Sequence, residues 1–313
     1  EEVAGEPEKT YTEAFLRTLD IEAIRAANFK IVVDYASASS ALVLPKIFNA
    51  LGVNVVGLNE RIDEAKMTMS QSEFDQGLDQ LGAITASVGA TLGARLDVGG
   101  ERMWLVDGKG RKLSQTESAA AFLELTLRDS APAQSIAVMV NQSEIFDTLC
   151  ERHATAIRRT AIDPQALMTA VLDPNVVLAF SGAGEFIVPS FHKLSDAMYP
   201  IAKLLGYLAR YRTTLSDVAA SLPPAYIITA SADCPWEKKG TVMRLLNEQF
   251  NYHIIEQVDG VKIRLAEHEW VLFIPEPDQP VFTIYAESTS QEASIALAEQ
   301  YSRVIQEMQK DDG

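Results

Sequence analysis

A chain of 313 residues, at roughly 100 to 150 residues per domain, has room for two or three domains rather than one large core. Hydrophobic residues make up 47% and charged residues 22%, with no low-complexity tract, which excludes intrinsic disorder. The formal net charge of −16 repels phosphate backbones and anionic lipid at long range, so nucleic acid and membrane surfaces are excluded as partners.

The first segment alternates strand and helix. A helix ending near Ala27 leads to the β-rich run FKIVVD (29–34), a helical pattern at 41–51 stopped by Gly52, and a strand at 53–58. A helix at 72–88 precedes a strand at 92–97 and the hairpin-like MWLVDGKG, where Asp107, Gly108 and Gly110 supply turn chemistry. After Ser114 the pattern restarts: helices at 117–127, 143–153 and 164–171, with strands at 136–140, 156–160 and 176–180. A long helix at 195–212 and a short one after Leu215 end at Pro223 and Pro224, which suit a linker. From Ala225 a strand and a helix (237–250) lead into strands at 260–264, 269–274 and 281–287, then a helix at 291–308. Their connections are too short for crossovers, so these strands pair antiparallel. The expected fold is α/β: two consecutive mixed α/β sandwich domains, 1–113 and 114–223, then a smaller α+β domain with an antiparallel sheet, 224–313.

Cys150 and Cys234 stand far apart, outside CxxC or CxxH spacing, which argues against a zinc site or disulfide framework and favours the cytoplasm. The most apolar helical stretch, 199–209, is short and contains Lys203, so no membrane span is expected. The acidic start at Glu1, without methionine, reads as the continuation of a longer polypeptide.

Four landmarks, FKIVVDYA (29–36), LDVGGERMWLVDGKG (96–110), FSGAGEFIVPSFHKLSDAM (180–198) and DGVKIRLAEHEWVLFIPEPDQPVFTIYAES (259–288), occur in an order that resembles domains II to IV of the α-D-phosphohexomutases. The stretch CPWEKKGTVMR (234–244) resembles the mutase-like part of bacterial mannose-1-phosphate guanylyltransferase fusions. That resemblance implies an upstream nucleotidyltransferase and mutase domain I as partners in the same polypeptide, with hexose phosphate as ligand.

In the family, DGDxDR converges three aspartates on Mg²⁺, a hard ion that takes oxygen ligands in near-octahedral geometry. The aligned residues here are Asp97, Gly99 and Glu101, followed by Arg102, so any Mg²⁺ site is expected to be weak. The family's sugar-reading GGExSG is reduced to Gly182, Gly184 and Glu185, followed by Phe186. His192 and Lys193 stand where basic residues act in some mutases. The phosphate loop RPSGTEP becomes Ile274, Pro275, Glu276, Pro277, Asp278, Gln279 and Pro280, which removes the guanidinium and introduces carboxylates that repel a dianion. Lys238, Lys239 and Arg244 read as a solvated basic helix face. No SHNP-type phosphoserine loop occurs, so mutase chemistry lacks its nucleophile within these residues.

The expected function is therefore a catalytically degenerate, phosphohexomutase-like module of a sugar-nucleotide-forming protein, structural, regulatory or weakly sugar-binding, with self-association left open. The alternative is a fragment of an active phosphomannomutase or phosphoglucomutase.

Overall fold

The computed structural model describes residues 7–129 and 134–310. Helices α1 (Pro7–Arg17) and α2 (Ile21–Ala27) come first. Asp20 caps α2 by accepting from Ala23 N, and Asn28 closes it in the left-handed region. Then follow β1 (Lys30–Asp34), α3 (Ser40–Ala50), β2 (Asn54–Leu58), a 3-10 turn at Glu64–Lys66, α4 (Gln71–Ser87), β3 (Leu92–Leu96) and β4 (Met103–Asp107). Their sheet has the order β2-β1-β3-β4. Crossovers through α3 and α4 make β1 parallel to β2 and β3, whereas the short loop after β3 forces β4 antiparallel. A capping box between Ser70 and Glu73 starts α4, whose Leu81 packs with Val32, Ala90 and Val106. The hairpin partner of β4 is thus β3, and the DGKG turn adds only a single bridge, from Val106 to Lys112.

Next come α5 (Gln115–Arg128), β5 (Ser135–Met139), α6 (Ile145–Arg152), β6 (Ala156–Thr160), α7 (Pro164–Ala170), β7 (Val176–Phe180), β8 (Phe186–Ile187), α8 (Met198–Tyr211) and α9 (Leu215–Ser221). The second sheet runs β6-β5-β7-β8, with β8 antiparallel to β7. Helix α8 starts at Met198, three residues later than its apolar spacing predicts, with Asp196 accepting from Tyr199 N in its first turn.

The last elements are β9 (Tyr226–Asp233), α10 (Trp236–Phe250), β10 (Ile254–Glu256), β11 (Val261–Ala266), β12 (Glu269–Pro275), β13 (Val281–Ser288) and α11 (Gln291–Met308). Their sheet, β10-β11-β12-β13-β9, is antiparallel throughout, so two mixed sheets and one antiparallel sheet give the expected α/β class.

The chain forms two compact units. One runs to Ala137 and adds Leu149–Arg158 and Leu167–Leu222; the other takes Val138–Thr148, Arg159–Ala166 and the chain from Pro223. In the second unit β12 is buried on both faces. Val271 and Phe273 cluster with Val242 and Leu246 of α10 and with Tyr301 and Ile305 of α11, while Trp270, Leu272 and Ile274 cluster with Val140 and Ile162. Full burial of such side chains contributes about 1.5–3 kcal/mol each, which makes this strand the centre of the unit's core.

Candidate functional site

The loop between β3 and β4 holds the residues aligned with the metal loop. Asp97 lies at its start, and its Oδ1 accepts from Glu101 N at 2.8 Å and Arg102 N at 3.0 Å. Its backbone N–H also donates to Arg102 O. One carboxylate oxygen is therefore committed to closing the hairpin, while Glu101 is exposed and Gly99 offers no side-chain ligand.

Arg102 points away from that loop. Its Nε and Nη2 each lie 2.7 Å from Glu185 Oε1, and Arg102 and Glu185 also form an isolated backbone bridge. Met103 N donates to Gly184 O at 3.0 Å, and Ala197 N donates to Gly100 O. Gly184 has φ +93°, and a Cβ there would meet Met103 O at 2.7 Å, so the close backbone approach requires glycine. The fold thus brings the metal-loop and sugar-loop remnants together and joins them by an ion pair. The Glu185 carboxylate, nearly buried, faces a guanidinium rather than an open hollow.

His192 and Lys193 are not brought to that pair. His192 Nδ1 accepts from Leu194 N, so Nε2 carries the ring hydrogen and donates to Asp196 Oδ2 at 3.1 Å. Asp196 also accepts from the Tyr11 hydroxyl at 2.6 Å. The imidazole sits beside Phe191, which stacks on Tyr199, so His192 belongs to an aromatic and hydrogen-bonded cluster. Burial, ahead of the Asp196 charge, pushes the Tyr11 hydroxyl far above its ordinary pKa. Lys193 is exposed at the rim of a hollow also lined by Asp129, Lys203 and Tyr207.

In the second unit the phosphate-loop position is the turn between β12 and β13. Ile274 is buried, Asp278 is exposed, and Glu276 accepts from the Thr283 hydroxyl. Lys239 donates to both Glu276 O and Gln279 O and lies 4.2 Å from the centre of the Trp236 ring. The basic helix face is therefore not simply solvated. Lys239 caps the turn's carbonyls, and Arg244 pairs with Glu248 on its own helix.

Two clusters of buried charge, Arg95 with Asp34 and Glu287 with Lys262, are not marked by any motif in the sequence. Arg95 on β3 pairs with Asp34 on β1 at 3.2 Å. In the second unit, Glu287 accepts from Trp270 Nε1 at 2.6 Å, Glu144 N at 2.9 Å and the Ser143 hydroxyl. Lys262 lies 3.7 Å from the Trp270 ring centre and donates to Val140 O. Desolvation, with help from Arg159, pushes its amine from 10.5 down to about 7. The signal was present: each interrupts an apolar strand, where a charge must find partners.

Residues 9–110 match the model for the phosphoglucomutase/phosphomannomutase alpha/beta/alpha domain II. A protein of Methanopyrus kandleri named "Probable phosphoglucosamine mutase" is 26% identical over 291 residues, covering 92% of this chain and 64% of that relative. The chain is phosphohexomutase-like over most of its length. A phosphoglucomutase/phosphomannomutase family protein of Burkholderia thailandensis shares its fold with a TM-score of 0.81 at 19% identity, covering 98% of this chain and 65% of its own. The N-acetylphosphoglucosamine mutase of Aspergillus fumigatus, solved with GlcNAc-6P and magnesium, superposes with a TM-score of 0.67 at 12% identity, covering 96% of this chain and 71% of its own. The phosphohexomutase-like chain thus spans about two thirds of the length of the relatives it matches.

The carboxylates this phosphohexomutase-like chain supplies in the loop after β3 are Asp97, with one oxygen already bonded to two amides, and Glu101. Among the described residues no three His, Cys, Asp or Glu side chains converge. The donor set does not fit tightly held Mg²⁺. Among the described residues, no helix is long and apolar enough to cross a membrane.

Proposed function

We propose that this chain is a phosphohexomutase-derived module that does not transfer phosphoryl groups and serves a structural or regulatory role in a sugar-phosphate or sugar-nucleotide protein. One observation carries the reading: Arg102 occupies the Glu185 carboxylate that would otherwise accept hydrogen bonds from sugar hydroxyls. The altered turn at Ile274–Pro280 supports it, since Glu276 and Asp278 add negative charge and Lys239 is spent on main-chain carbonyls. Asp97 and Glu101 would hold Mg²⁺ at most weakly. Domain boundaries at 113 and 223, one sheet to each part, belong to the same proposal. So does the kinship with mannose-1-phosphate guanylyltransferase fusions, which rests on residues 234–244, while the relatives above are named as mutases.

Calorimetric titration of the chain with glucose 1-phosphate, mannose 1-phosphate and glucosamine 6-phosphate, with and without Mg²⁺, tests the reading. No heat that depends on Glu185 is expected. Saturable binding that disappears in Glu185→Gln would establish a working sugar site and end the proposal.

A further inference from the structure

In an open sheet with parallel strands ordered β2-β1-β3, the chain leaves β1 in one direction to reach β2 and returns on the other side to β3. The crevice outside the carboxyl ends of β1 and β3 is the place where such sheets bind ligands. Here that crevice is a hollow of about 420 Å³ lined by Ser37 after β1, Asn59 after β2, Arg95 on β3, Gly77 on α4, and Lys66 and Met69 between β2 and α4.

The floor is rigidly built. Asp34, fully buried at the end of β1, accepts from Ala36 N at 3.0 Å and Asn59 Nδ2 at 2.8 Å, and pairs with Arg95 Nη1 at 3.2 Å. Ser37 N donates to Asn59 O, tying the loops after β1 and β2 together. Ala36, Ser37 and Asn59 all hold left-handed backbones, a strain that persists where surroundings impose it and that gathers at ligand sites. Arg95 lies over Phe74, with its guanidinium carbon 4.8 Å from the ring centre, and is only 4% exposed. Its Nη2 faces the Met69 sulfur at 2.9 Å, a weak acceptor on a side chain that is itself 36% exposed. A Cβ at position 77 would come within 2.1 Å of Arg95 Nη1, so glycine there leaves room for the guanidinium.

We infer that this hollow binds a small oxyanion, the carboxylate or phosphate of a small metabolite, which displaces the Met69 thioether and is held by Arg95 and Lys66. A guanidinium fork prefers two oxygens to one soft sulfur, and the two nearby carboxylates are already engaged: Asp34 by three partners, and Glu73, which lines the hollow, by the Ser70 amide and hydroxyl that both donate to its Oε2. Neither Asp97, Glu101 nor Glu185 lines the hollow, so the inference stands independently of the proposed function.

Calorimetry at low ionic strength with inorganic phosphate and with succinate, on the whole chain, tests it. Saturable binding of either probe is expected, and the tighter one identifies the source of the oxyanion. Affinity should fall about tenfold in Lys66→Ala, equivalent to 1.4 kcal/mol. It should rise in Met69→Ala and vanish in Gly77→Ala, with circular dichroism confirming the fold of each variant. Failure of both probes to bind would overturn the inference, as would binding unchanged by Lys66→Ala and Met69→Ala in folded protein.

Discussion

Single side chains carry most of what is unusual in this molecule, and Lys262 is the clearest case. It is 3% exposed, lies against Trp270, and feels the charge of Arg159 together with those of Glu144, Asp147 and Glu287. With an amine pKa near 7 in the folded chain and 10.5 when exposed, the unfolded state binds the extra proton between those values. Stability contributed by this residue therefore rises as pH climbs from about 7 toward 10.5, by up to roughly 1.4 kcal/mol per pH unit, and is least at pH 7 and below, where both states are protonated. Denaturant midpoints of the wild type and Lys262→Met should differ most, in favour of the variant, at pH 6 to 7 and draw together steadily as pH rises toward 10.5; a gap independent of pH would contradict this account. Glu287 is the complementary test. Its two oxygens accept from three donors, and Glu287→Gln would turn an amide N–H toward one of them, at a cost of about 2–3 kcal/mol measured by urea unfolding. Such roles were only half legible in the sequence. A charge in GVKIRLA or IYAES announces that a partner must exist, but the partner lies far along the chain and only the fold supplies it.

Elements were legible where periodicity was long and capped. Helices α4 and α5 each begin with a Ser and a Glu three residues on, and both capping boxes form. Ser114→Ala should lower stability by about 1 kcal/mol, read from the shift in thermal midpoint, because Glu117 N loses its acceptor and the box opens. The strand β12 was readable from its unbroken apolar run, WVLFI, which matches burial on both faces. What escaped were the short pieces. β8 has two residues and β10 three, too few to show alternation, and α1 lies in an acidic segment whose apolar positions are sparse. The candidate site was legible as a set of departures from a motif: Asp97, Gly99, Glu101, Arg102 and Glu185 were all singled out. The pairing of Arg102 with Glu185 was not, since 83 residues separate them and nothing local marks either as the other's partner.

For the molecule as a whole, charge sets the terms. With 43 acidic and 27 basic side chains, self-repulsion opposes the folded state, and salt relieves it over a Debye length of about 8 Å at physiological strength. The thermal midpoint should rise as sodium chloride is raised from low to physiological concentration. A midpoint indifferent to salt would mean that the acidic groups are already neutralised by near neighbours.

Trp270 gives the protein an optical reporter of its own. With the partly buried Trp104 replaced by Phe, iodide should quench the red-shifted emission of the half-exposed Trp236 and spare the blue-shifted band of Trp270, which is wholly buried beneath the Lys262 amine. Following that band as the solution is titrated through neutrality would watch one ammonium lose its proton from within the core, without any label attached.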